Sequence, residues 1–119
     1  MAFPGTLNIS YYKGDTYEFR VYPKDASGAA FDLSLYDDEN IKFSISTARG
    51  TTPTIEGYAA KSGDNTYITC AILPANGASM TANTTYVYDI EIARTASPYN
   101  YTYTLLTGNI SVTDQVTGA

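Results

Sequence analysis

Asp89 and Glu91 have the spacing in this sequence that comes closest to a chemical device. They stand at i and i+2 in the run Tyr86-Val87-Tyr88-Asp89-Ile90-Glu91-Ile92. On an extended strand that spacing puts both carboxyls on one face, roughly 7 Å apart. Paired acids at such separations carry out glycoside hydrolysis. Any alternating strand with two acids gives the same geometry, so the pair reads first as a solvated strand face. Asp37-Asp38-Glu39 is a second acidic group. A Ca²⁺ loop needs oxygen ligands at alternate positions around a Gly, with a terminal Glu. This run has neither the spacing nor the Gly, so it reads as a solvated loop. Cys70 stands alone, in line with Ile68 and Ile72, and reads as a small buried core residue. A nucleophilic role would need an activating base. The chain has no His, which removes Ser-His-Asp and Cys-His catalysis and most transition-metal sites. The expectation is a protein that is not an enzyme, with no catalytic residues, no cofactor and no metal.

The elements that would position these residues are strands. In residues 86–92 the apolar side chains Tyr86, Tyr88, Ile90 and Ile92 alternate with Val87, Asp89 and Glu91, the period of a half-buried strand. Residues 95–100 supply turn formers, and residues 101–112 return, rich in Tyr, Thr, Ile and Val. Gly108 interrupts that return and marks a bulge or a bend. Upstream, residues 16–23 alternate Tyr17, Phe19 and Val21 against Glu18, Arg20 and Tyr22. Residues 41–47 place Ile41, Phe43 and Ile45 inward and Lys42, Ser44 and Ser46 outward. Residues 66–73 place Ile68, Cys70 and Ile72 inward, after a loop at residues 62–65. Residues 34–40 read as a connection with room for one helical turn. Residues 74–85 are aperiodic and long enough to cross between sheets. Seven or eight short strands, separated by turn signals and with no 3.6-residue periodicity, predict an antiparallel two-sheet β-sandwich. The predicted core includes Phe19, Val21, Phe43, Ile45, Ile68, Cys70, Ile72, Tyr88, Ile90 and Leu105.

At 119 residues the chain reads as one domain, 1–119, with a short N-terminal arm (1–6) and a C-terminal tail (114–119). Seven Lys and Arg against twelve Asp and Glu give a net charge of −5. That balance argues against nucleic acid and against anionic membrane as partners. Residues 1–6 carry neither a charged n-region nor an apolar h-region, which predicts synthesis in a cytoplasm. Tyrosine is abundant, at 12 residues, while Trp is absent. Two readings of the tyrosines stand side by side: β-propensity on a sheet surface, and an aromatic-rich interface.

Three phrases carry a family resemblance. They are Tyr12-Lys13-Gly14-Asp15-Thr16-Tyr17-Glu18-Phe19, then Phe31-Asp32-Leu33-Ser34 following the turn at residues 25–28, and residues 86–92 followed by 103–112 and 113–117. Together they resemble the small immunoglobulin-like β-sandwich domains of tailed-bacteriophage virion proteins, found as capsid decoration modules and in tails and baseplates. The resemblance spans residues 7–117. It implies an immunoglobulin-like sandwich and a non-enzymatic virion structural protein. Such a protein docks on capsid or tail subunits, with a second copy of itself as a further partner, and is located in the virion. In baseplate proteins the domain is part of a longer chain, so its standing alone here favours decoration. The alternative is a carbohydrate-binding or host-adhesion β-sandwich module. The expected interface residues are Met1, Ala2 and Phe3 in the arm, Tyr99, Tyr101 and Tyr103 at the tyrosine-rich turn, and Gln115 and Val116 in the tail. Small polar termini become ordered by laying onto a neighbour.

Overall fold

The computed structural model describes residues 5–25, 27–50, 53–95 and 100–114. Eight strands form among them: β1 (Gly5–Thr6), β2 (Ile9–Tyr12), β3 (Tyr17–Val21), β4 (Ile41–Ser46), β5 (Ile55–Lys61), β6 (Ile68–Ile72), β7 (Thr85–Arg94) and β8 (Tyr101–Thr113). The helical pieces are a 3-10 turn at Asp38–Asn40 and the five-residue α1 (Pro74–Ala78). The protein is all-β. Its strands join in the order β1-β8-β7-β4-β5-β6-β3, and β2 also pairs with β8, in one mixed sheet that curls into a half-barrel.

β5 is where the sheet turns. Ile55, Glu56 and Gly57 pair with β4, whereas Tyr58 to Lys61 pair with β6. At the changeover the Phe43 ring lies against Gly57, where a Cβ would sit 2.5 Å from it. A residue with a side chain would push the two strands apart at the corner. The curl brings β3 over the middle of the sheet. Phe19 meets Phe43 edge-on at 5.6 Å and Tyr88 at 6.4 Å, the arrangement that aromatic quadrupoles favour.

The core follows the alternation. Val21, Phe43, Ile45, Ile68, Cys70, Ile72, Tyr88, Ile90 and Leu105 are buried as expected, and Phe19 is partly buried against them. Ile9, Tyr11, Leu33, Tyr36, Ile41, Ile55, Met80, Tyr86, Ile92, Ile110 and Val112 are buried with them. Leu33, Tyr36 and Met80 lie in connections without periodicity. Tyr36 N–H donates to Leu33 O, and Met80 N–H to Gly77 O. These local turns aim single side chains inward without any strand.

Several expectations are corrected. The sheet is not wholly antiparallel: β1 and β2 run parallel to β8, with Gly5 opposite Leu106 and Ile9 opposite Ile110. A hairpin turn fixes antiparallel direction, but β2 and its partner are far apart in sequence and share no turn. The arm expected at residues 1–6 is partly structural, because Gly5 and Thr6 belong to the sheet. Ser46 keeps the outward side of β4, in line with Lys42 and Ser44, but it is not exposed. It is buried, as the following loop folds back and Thr54 N–H donates to Ile45 O at 3.1 Å.

Gly108 does not mark the bulge. The register shifts between Ile90 and Glu91, where Ile90 faces Leu106 and Glu91 faces Thr104, so Leu105 is the extra residue. Gly108 serves a close approach instead. The chain between β1 and β2 crosses over it, and a Cβ at 108 would fall on the Leu7 carbonyl oxygen. That carbonyl accepts a hydrogen bond from the Tyr88 hydroxyl at 2.6 Å, and Asn8 Oδ1 accepts one from Asn109 N–H at 3.2 Å.

Candidate interaction surface

Each residue that could do chemistry has a defined setting. Asp89 and Glu91 share the outward side of β7, with Ser44 and Lys42 of β4 directly opposite. Arg49 Nη1 donates to Asp89 Oδ1 at 2.9 Å, and Arg49 Nη2 to Gly108 O at 3.4 Å. The two acids are therefore not a free pair, since Asp89 is joined to Arg49 beside a cavity of about 90 Å³ lined by Ser44, Ser46 and Pro53. Cys70 is fully buried, and burial pushes its thiol up to about 12. A thiol held protonated at neutral pH is a poor nucleophile. Asp37, Asp38 and Glu39 are exposed, and Asp38 Oδ1 accepts from Lys61 N–H at 2.9 Å. Among the described residues no group of three or more His, Cys, Asp or Glu is placed to hold a metal ion, and no helix is long and apolar enough to cross a membrane.

Of the expected interface residues, Met1, Ala2, Phe3, Tyr99, Gln115 and Val116 lie outside the described residues. Tyr101 and Tyr103 are half-buried and brought together. Their rings stack at 6.4 Å, and Tyr103 meets Phe31 edge-on at 5.9 Å. Phe31 lies 5.9 Å from Tyr36. The Arg94 guanidinium sits 4.2 Å over Tyr101 and 5.8 Å from Tyr36. Arg94 and Tyr101 face each other across β7 and β8 on the core-facing side. Tyr101 and Tyr103 thus close one end of the core through aromatic and cation–π contacts.

A second surface, with exposed apolar side chains, lies on the outward face of β5, β6 and β3. Register places Tyr58 beside Ala71 and Ala60 beside Thr69, with Ala71 beside Glu18 and Thr69 beside Arg20. A shallow depression of about 510 Å³ runs across these strands, lined by Thr16, Glu18, Tyr58, Lys61, Ala71 and Leu73 among others. Tyr58 is 49% exposed and Leu73 40%. On the same face Tyr22, 52% exposed, lies 5.2 Å from Tyr67, with the Arg20 guanidinium 4.6 Å over that ring. The two outward faces differ in apolar content: Lys42, Asp89 and Glu91 mark one, whereas the other sets exposed Tyr58, Leu73 and Tyr22 among Glu18, Arg20 and Lys61. That contrast is present in the sequence. It becomes a surface only when β5, β6 and β3 are known to be neighbours.

No protein-family model matches this chain, and no curated protein matches it.

Proposed function

We propose that this chain is a non-enzymatic structural protein of tailed-bacteriophage virions, an immunoglobulin-like two-sheet sandwich that docks on capsid subunits as decoration or on tail subunits. The turn at β5 and the packing of Phe19 on Phe43 and Tyr88 support the sandwich reading, with β5, β6 and β3 as the smaller layer. The observation that carries the docking reading is the outward face of that layer. Tyr58 and Leu73 stand exposed around a shallow depression floored by small side chains, and Tyr22 is exposed further along β3. Exposed apolar patches rimmed by polar groups mark protein–protein contacts, and aromatic residues are enriched there. The resemblance carried by residues 12–19, 31–34, 86–92 and 103–117 supplies the kind of partner.

The test has two arms. Particles of the phage that encodes the chain are purified on a density gradient and analysed by mass spectrometry, and the chain is expected in stoichiometric amounts. Purified protein is then sedimented with particles that lack it. Tyr58→Ala and Leu73→Ala change exposed side chains, and each is expected to lower retention about tenfold with no change in the melting curve. Absence from particles, together with binding to a host glycan array, would replace this reading with the adhesion module.

A further inference from the structure

The free edge of the sheet carries a self-complementary pattern. β3 ends the strand order: it pairs with β6 on one side, and among the described residues no strand pairs with its other side. An unpaired edge is a template for another strand. Natural edges are often blunted by charges of one sign. β3 instead carries one acid and one base, Glu18 and Arg20, on the same outward face and two residues apart, both exposed.

We propose that β3 pairs antiparallel with β3 of a second copy, across a twofold axis at Phe19, to make one continuous sheet through two molecules. The register follows from two conditions. Inward side chains must oppose inward ones, which restricts the axis to passing through a residue rather than between two. Unlike charges must then meet. Centred on Glu18 or on Arg20, the pairing sets like charges against each other. Centred on Phe19, it sets Glu18 of each copy opposite Arg20 of the other, twice by symmetry. The inward row also matches. Phe19 meets its own counterpart and Tyr17 meets Val21, and Tyr17 and Phe19 are only half-buried in the single chain.

The outward row extends the surface already described. Thr16 comes opposite Tyr22 of the second copy, on the side where the depression by Leu73 has only a small side chain for a wall. Arg20 is held over the Tyr67 ring, so its guanidinium is partly fixed before pairing. Pro23 follows the strand with no N–H to donate, which keeps the pairing short. The pairing is independent of the particle on which the protein docks.

The experiment uses the full chain. Sedimentation equilibrium between about 1 and about 500 µM is expected to show a monomer–dimer equilibrium in the range usual for small interfaces. Arg20→Glu leaves two acids opposing two acids, and Glu18→Arg leaves two bases opposing two bases. Each variant alone is expected to dimerise at least about tenfold more weakly. Mixed in equal amounts, the two variants are expected to recover a heterodimer as tight as the native dimer. Circular dichroism melts of both variants check that the fold is kept. A native chain that stays monomeric overturns the proposal. So does a dimer indifferent to either single reversal, or a mixture no tighter than its components. Loss of particle binding with the dimer intact would count against the docking reading alone.

Discussion

Ile90 and its neighbour Asp89 show how much one residue's direction decides. Ile90 has no exposed surface and sits among Phe43, Tyr88 and Ile92, whereas the carboxyl of Asp89 reaches water and Arg49. Ile90→Ala removes buried methyl groups and leaves a cavity, so it is expected to cost about 2–5 kcal/mol. Asp89→Asn removes an ion pair whose partners are 50% and 44% exposed, and is expected to cost less than about 1 kcal/mol. Urea unfolding of the two variants measures both. Equal costs would mean the two faces of β7 are reversed. At this scale the sequence was readable wherever alternation held, as it did for Val21, Phe43, Ile45, Ile68 and Ile72. It was silent for Leu33, Tyr36 and Met80. A side chain aimed inward by a turn has no neighbour at i±2 to announce it.

At the scale of the element, β8 changes phase. Tyr101, Tyr103 and Leu105 use odd positions for the core-facing side, while Ile110 and Val112 use even ones. A strand cannot do this without an extra residue. The bulge at Leu105 was therefore legible in the parity of the apolar positions. Gly108 breaks the apolar run, but its role depends on the connection at Leu7, some hundred residues earlier, and has no local signature. Gly108→Ala would drive a methyl group into the Leu7 carbonyl, so the crossing between β1 and β2 must lift. The expected cost is about 1–3 kcal/mol, as for other overpacked sites. Gly63→Ala, where nothing lies within 4 Å of the new Cβ, is expected to change stability by less than about 0.5 kcal/mol. Thermal melts of the pair separate a backbone crossing from a generic glycine effect. Composition points to interface residues at the termini and the tyrosine-rich turn. Tyr101 and Tyr103 pack with Arg94 and Phe31 while half-buried, and the exposed face of β5, β6 and β3 rests on an adjacency that no single segment reveals.

For the whole molecule, the ionisable groups set a pH window. Burial pushes the Cys70 thiol from 9.0 up to about 12 and raises the Tyr88 and Tyr11 hydroxyls as well. Between pH about 9 and about 12 the unfolded chain gives up the thiol proton that the folded chain keeps. Stability contributed by the protonated thiol is therefore full below pH about 9 and falls as pH rises. On the acid side the carboxyls of Asp25, Asp32 and Asp64 are lowered from 3.8, with hydrogen bonds from Ser27, Ser34 and Ser62 as their main causes. Their contribution is present above pH about 4 and is lost as pH falls through the folded values. The melting temperature is expected to be flat between about pH 5 and 8 and to fall on both sides, more steeply in alkali because the buried groups lie there. Native Cys70 is expected to react with a thiol reagent at pH 8 only as fast as the protein unfolds. A melting temperature that rises beyond pH 9, or prompt labelling of the native chain, would show that Cys70 is not sealed in the core.

The parallel seam between the first strands and the last has a mechanical meaning. Tension entering at Gly5 and leaving beyond Thr113 pulls β1 and β2 lengthwise against β8. Every hydrogen bond of the seam is then loaded at once, in shear. The antiparallel hairpin of β5 and β6, pulled from its open end, would give way one bond at a time, like a zipper. A load passed through the ends of this domain therefore meets its stiffest direction first.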